Sequence, residues 1–180
     1  MSLDPAIHSR LLSHARGAIA SYLTGEELPP WDLADELPQC GVFVTLRRGE
    51  HLRGCIGIFS ATEDLPTTIA RMAIASARDP RFVDLPVSAR ELADLRIELS
   101  LLSPLEAMAD PMDFEIGRHG IYISHGYAVG CFLPDVATEH GWDKITFLTQ
   151  CCMQKAGLSP DAWSRPDIEL FRFSVEKCRE

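Results

Sequence analysis

The residues best suited to chemistry in this chain stand in the segment Leu52–Gly57 (LRGCIG), where Arg53 and Cys55 are two positions apart. The thiolate is the reactive form of cysteine, and a neighbouring guanidinium favours it. Side chains two apart on a strand point to one side. An extended Leu52–Gly57 therefore presents Arg53 and Cys55 together, with His51 and Gly57 on the same face and Leu52, Gly54, Ile56 and Ile58 on the apolar one. Gly54 and Gly57 remove bulk beside the thiol, and glycine within a strand often marks close approach by a ligand or another backbone. On this reading Cys55 is the candidate nucleophile or general acid/base, and Arg53 orients an anionic group. The competing reading is packing. Free cysteine behaves as a small hydrophobe and is among the most buried residue types, and the glycines then let a helix sit tightly on the sheet.

Other candidates carry less. His119 and His125 flank a second hairpin, His119 in a loop and His125 in the turn, and a Cys55–His119 pair has the composition of a nucleophile–base dyad. Glu139, His140, Trp142 and Asp143 form a polar–aromatic cluster, better read as a helix cap and a packed indole. Arg81, after Asp79 and Pro80, binds an anion or pairs with Asp79. There is no C-x-x-C and no H-E-x-x-H, so no metal site is expected, and no phosphate-binding glycine spacing, so no NAD, FAD or ATP site. No cofactor is expected.

These residues need elements to hold them. Ile7, Leu11, Leu12, Ala15, Ile19, Tyr22 and Leu23 fall at helical spacing over 5–24, with Gly25 placed to end the helix and a proline-containing, acidic loop over 26–39. Residues 41–47 and 51–58 read as a hairpin around Arg48-Gly49-Glu50. That odd-length loop pairs Leu46 with Leu52 and Val44 with Gly54, aligning the apolar sets, and places Thr45 opposite Arg53 and Phe43 opposite Cys55. Ser60–Glu63 has capping-box spacing before the stripe Leu65, Ile69, Met72, Ala73 and Ala77; Ser88 with Glu91 opens a short helix over 88–94. Residues 95–102 read as a strand and 103–118 as irregular. Residues 120–124 and 127–133 flank a two-residue turn at His125-Gly126. Short helices follow over 134–140 and over 144–156, the latter burying Ile145, Leu148, Cys152 and Ala156, and 168–176 is a last strand. Strands joined by hairpins and helices, without regular βαβ units, predict an α+β fold with a mainly antiparallel sheet flanked by helices.

The 180 residues carry a net charge of −9, with 46% apolar and 24% charged residues, enough to bury a core without disulfides or metals. An acidic chain repels phosphate backbones and anionic surfaces, so neither nucleic acid nor membrane is expected as a partner; an Arg47/Arg48/Arg53 patch is the third and weakest functional reading. The start MSLDPAIHSR lacks a basic run followed by an apolar one, and no long segment is free of charge. The expected location is the cytoplasm, where the six cysteines stay reduced.

Gly41–Leu46 (GVFVTL), LRGCIG, Asp79–Phe82 (DPRF), Leu95–Leu101 (LRIELSL), Leu133–Val136 (LPDV), Gly141–Asp143 (GWD), Phe147–Leu148 and Lys155–Leu158 (KAGL) follow one another in order. Together they resemble the AMMECR family, whose prokaryotic members are called AmmeMemoRadiSam system protein A. The resemblance runs from about residue 7 to 176. It implies a two-lobed α+β fold, with a larger lobe over about 1–111 and 166–180, a smaller lobe over about 112–165, and a cleft between them bordered by LRGCIG. Residues placed to line such a site are Thr45, His51, Gly54, Gly57, Arg81, His119, Trp142 and Asp143. The system name implies companionship with a Memo-like protein and a radical S-adenosylmethionine protein; it specifies no reaction. Asp135 departs from the family's usual LLPQV-like run, where an amide stands. Two roles follow: an enzyme acting through Cys55 on a small polar or anionic substrate, or a binding module without turnover.

Overall fold

The computed structural model of the chain describes residues 3–31 and 37–180, so residues 32–36 of the expected acidic loop lie outside it. Helix α1 runs Pro5–Thr24. Asp4 accepts the Ala6 amide at 2.7 Å, Pro5 sits in the first turn where its missing N–H costs nothing, and Gly25 ends the helix at φ 77°. Strands β1 (Val42–Arg48) and β2 (His51–Ile58) form the first hairpin, followed by α2 (Leu65–Ala77) and β3 (Leu95–Leu102). Then come β4 (Glu106–Ala107), β5 (His119–His125), β6 (Ala128–Phe132), α3 (Pro134–His140), α4 (Lys144–Cys151) and β7 (Glu169–Arg179). Strand β1 pairs antiparallel with β2 and β3, β5 with β6 and β7, and β4 with β7.

The chain divides into two compact units, Met1–Leu102 with Glu176–Glu180, and Ser103–Val175. In the first, β2, β1 and β3 lie side by side with the end of β7 beyond β3. Val42, Val44, Leu46, Ile97, Leu99 and Leu101 turn to α1 and α2, where Leu11, Ile19, Leu65 and Ile69 complete a fully buried core. Each such side chain contributes about 1.5–3 kcal/mol by leaving water. In the second unit β5 lies between β6 and β7, and its core gathers Phe114, Ile121, Phe132, Phe147, Leu148 and Cys151. Glu106–Ala107 and Glu169–Val175 belong to this unit, where both strand segments pair within its sheet.

Several local expectations are corrected. Helix α2 starts at Asp64, which accepts the Thr67 amide at 2.8 Å, not at Ser60. Pro66 explains this: it fits only a first helical turn, so a helix begun at Ser60 would carry it inside. The second hairpin turns on Gly126-Tyr127, because His125 pairs with Ala128 and the first loop position needs the positive φ (60°) that glycine supplies. Hence His125 ends β5, and His119 begins it. Residues 103–118 include the two-residue β4. The last strand reaches Arg179. Along α4 the buried stripe is Phe147, Leu148 and Cys151, continued by Cys152 in a π-helical turn; Ile145 is 55% exposed, since it lies about 90° around the helix from the centre of that stripe.

Register in the first hairpin also differs. Leu46 pairs with Gly54, Val44 with Ile56, Thr45 with Cys55 and Phe43 with Gly57, all two residues further along β2 than expected. The loop is Gly49-Glu50, with Gly49 at φ 56°. Arg47 pairs with Leu52, so Arg53 is an extra residue in a β-bulge. A two-residue shift preserves faces, which is why the apolar set of β1 is buried as expected.

Candidate functional site

The bulge decides what LRGCIG presents. It breaks the alternation at Arg53, so Arg53 and Gly54 both turn to the helix-covered side while Cys55 turns away. A Cβ on Gly54 would lie 2.0 Å from the Ser76 carbonyl of α2. Arg53 is only 6% exposed. Its Nε and Nη2 donate to Glu91 Oε1 at 3.1 and 2.8 Å, and Nη2 also to the Leu85 carbonyl at 3.1 Å. The expectation that Arg53 shares a ligand face with Cys55 is therefore corrected; His51, on the loop side of the bulge, stays with Arg53. Glu91 does not close a capping box on Ser88, whose side chain caps nothing. Leu52, expected in the core, is half-buried, because residues on the loop side of the bulge have changed face.

Cys55 lies on the other side of the first sheet. Its thiol is 3.4 Å from Thr45 Oγ1, and Thr45 pairs with Glu98 of β3. Cys55, Thr45 and Glu98 thus form a polar row across three strands. Glu98 receives Lys177 at 2.9 Å and Arg179 from the end of β7. Gly57 makes no space beside the thiol: the Phe43 ring covers it, and a Cβ there would meet that ring at 2.3 Å. Both glycines of the motif permit close packing.

The backbone of Cys55 is held from outside the sheet. Strand β2 is the edge strand, whose outward N–H and C=O groups need cover. Asp79, its side chain fully buried after the end of α2, accepts the Cys55 amide at 2.9 Å and the Arg81 amide at 3.0 Å. Arg81 donates Nε to Asp79 at 3.0 Å and Nη2 to the Cys55 carbonyl at 3.0 Å. Buried Ser76 accepts the Ile56 amide at 3.0 Å and donates to the Val44 carbonyl at 2.8 Å. The hydrogen bond from Arg81, opposed by burial and aided by the amides, holds the Asp79 carboxyl down at about 2. Asp79 in turn raises the Arg81 pKa, with the nearby Cys55 a smaller contributor. The Arg81 side chain is 57% exposed, and among the described residues its Nη1 has no hydrogen-bond partner. Of the two readings of Arg81, pairing with Asp79 is observed, and one donor edge is left over.

His51 is exposed at the start of β2. Arg48 pairs with Asp94 at 3.2 Å and Arg47 with the Glu50 carbonyl at 3.3 Å, so the expected basic patch is largely engaged. The remaining candidates lie in the second unit. His119 Nδ1 accepts the Glu115 amide at 3.0 Å; burial lowers its pKa, helped by Arg118 and Arg172. Trp142 packs on Phe132 and His140, with ring centroids 5.8 and 4.5 Å away. Asp143 caps α4, accepting the Thr146 amide at 2.7 Å. The hydroxyl and amide of Thr146 keep its carboxyl below the usual range.

Among the described residues no three His, Cys, Asp or Glu side chains form a group able to hold a metal, and no helix is long and apolar enough to cross a membrane. None of the six cysteines is in a disulfide. Burial pushes Cys178 up to about 12 and Cys151 higher still. Sequence reasoning gave Asp79 only a pairing with Arg81 and Glu91 only a capping box, and it gave Glu98 no role. Alternation along β3 places Glu98 on its polar face, but the pairing of Arg53 with Glu91 has no local signal.

A family model described as AMMECR1 matches residues 12–178. A Methanothermobacter thermautotrophicus protein is 40% identical, with 94% of this chain and 92% of that protein covered. A Methanosarcina acetivorans protein is 43% identical over 92% of this chain and 88% of its own length. The crystal structure of uncharacterised protein PH0010 from Pyrococcus horikoshii superposes with a TM-score of 0.84 at 40% identity, covering 93% of this chain and 88% of that one. The chain belongs to the AMMECR1 family.

Proposed function

We propose that the chain is a cytoplasmic enzyme whose working surface is the Cys55 face of β2. Cys55 acts as nucleophile or general acid/base on a small polar substrate, and Arg81 takes over from Arg53 as the group that receives an anionic part of it. The observation that carries this reading is the hold on the backbone of one residue: a buried carboxylate accepts the Cys55 N–H and a half-exposed guanidinium donates to its C=O. Fixing a thiol within a narrow geometry is what nucleophilic catalysis requires. The free Nη1 edge of Arg81 suits a carboxylate or phosphate oxygen. Companion Memo-like and radical S-adenosylmethionine proteins would act on the same metabolite.

Mass-spectrometric mapping after brief iodoacetamide treatment of the folded chain near neutral pH tests it. Cys55 is modified well ahead of the buried Cys40, Cys151, Cys152 and Cys178. An inert Cys55 removes the nucleophile role.

One observation favours a second reading, a binding module without turnover. The hydrogen-bonding side chain at the Cys55 thiol is the Thr45 hydroxyl, and among the described residues no histidine or carboxylate bonds the thiol directly. Pull-down of the companion proteins with wild type and Cys55→Ala separates the two: equal capture, with no substrate consumed by either form, supports the module.

A further inference from the structure

The first unit holds a second polar site that the Cys55 face does not use. A cavity of about 660 Å³ lies beside the first residues of β2, lined by Leu52, Phe82 and Leu85 as apolar wall, His51, Gly49 and the Asp94-paired Arg48 at its rim, and the Arg53–Glu91 pair. The side chains of that pair are 7% and 12% exposed. All hydrogen bonds of Arg53 leave through Nε and Nη2, and both that reach Glu91 end on Oε1. Among the described residues Arg53 Nη1 and Glu91 Oε2 therefore have no partner. Neither is among the sealed, unsatisfied buried atoms found among the described residues, so each keeps some accessible surface. A nine-tenths-buried guanidinium with two spare N–H donors, beside a spare carboxylate oxygen, is a donor–acceptor edge on a cavity wall. A ligand edge that supplies one acceptor and one donor replaces the water on both atoms with charge-assisted hydrogen bonds in a mostly buried setting.

We propose that this cavity binds a small neutral molecule with an apolar body and an amide-type edge. The carbonyl oxygen receives Arg53 Nη1, the N–H donates to Glu91 Oε2, and the body lies against Leu52, Phe82 and Leu85. A carboxylate in the same place would meet Glu91 Oε2 as a like charge, while Arg48 at the rim is already paired with Asp94, so an amide is preferred over an anion. The site stands independently of any chemistry at Cys55.

Benzamide, benzoate and acetophenone are the probes, titrated into ¹⁵N-labelled full chain and followed by amide NMR shifts. Benzamide saturably shifts the amides of residues 51–53, 82, 85 and 91. Benzoate, with the repelled charge, and acetophenone, with no donor, bind at least about fivefold more weakly. Glu91→Gln narrows the benzamide-over-benzoate preference severalfold. Leu85→Ala, at a residue 65% exposed and so harmless to folding, weakens benzamide about threefold or more. Cys55→Ala leaves the titration unchanged, which separates this site from the thiol reading. Benzoate binding as tightly as benzamide, no shifts at these residues, or an unchanged affinity in Leu85→Ala overturns the proposal.

Discussion

Replacing Asp79 by asparagine keeps its volume and removes its charge, which isolates the hold on Cys55. The native carboxylate accepts the amides of Cys55 and Arg81 together with the Arg81 guanidinium, all on a side chain with no exposed surface. Its pKa falls from 3.8 to about 2 on folding. At about 1.4 kcal/mol per pKa unit this is about 2 kcal/mol, trimmed to about 1–2 because water screens the half-exposed Arg81. A depressed carboxylate pKa stabilises the fold fully above 3.8 and loses that stabilisation as the pH falls through about 2. The asparagine side chain has one acceptor oxygen for two buried amides, so one donor also loses its partner, at a further cost of about 1 kcal/mol or more. We expect Asp79→Asn to cost about 2–3 kcal/mol at pH 7, read from urea midpoints of the β2 amide signals. About half of the charge-dependent part is gone by pH 3, so the gap from wild type narrows on acidification. A variant within about 0.5 kcal/mol of wild type at pH 7, or a gap equal at both pH values, would refute the reasoning.

Arg53→Ala leaves Glu91 as an uncompensated, mostly buried charge and should cost about 3–5 kcal/mol in the same urea assay, while Arg53→Met with Glu91→Leu recovers most of it. Gly54→Ala pushes a methyl into the Ser76 carbonyl and should cost about 3 kcal/mol, with loss of the Ile56–Ser76 bond visible as faster exchange of the Ile56 amide. Phe147→Ala empties the centre of the second core and should cost about 3–5 kcal/mol by calorimetry of the second unit's transition. Iodoacetamide mapping should find Cys178 and Cys151 protected until the chain unfolds, since burial holds both thiols protonated.

Much of this fold was legible because its signals are local. The glycine that ends α1, the start of α3 at Pro134, the limits of β3 and the Asp143 cap all follow from residues within one turn of the feature. The errors share a cause as well. Pro66 outweighs the capping-box pattern before it, and the glycine that needs positive φ shifts the second turn by one residue. The candidate site failed at the bulge. Strict alternation assigns Arg53 to the face of Cys55, and one extra residue in β2 sends it to Glu91, thirty-eight positions away. No pattern within LRGCIG announces that partner. Arg81 was among the candidates, but its tie to the Cys55 carbonyl depends on the end of α2 packing against the sheet edge, a tertiary fact. The thiol itself was found because it stands beside glycines in a short apolar strand, although those glycines serve packing by α2 and Phe43 and leave no space for a ligand.

The central claim is that Arg81, and not Arg53, is the cation serving Cys55. Its most direct test is the ratio of Cys55 alkylation rates with iodoacetate and iodoacetamide, followed by peptide mapping in wild type, Arg81→Gln and Arg53→Gln. Both reagents attack the same thiolate, so the ratio cancels the ionised fraction and the access of the sulfur, and reports the local field on an anion. The ratio should fall severalfold in Arg81→Gln and stay near the wild-type value in Arg53→Gln. An unchanged ratio in Arg81→Gln, or a fall confined to Arg53→Gln, would contradict the account.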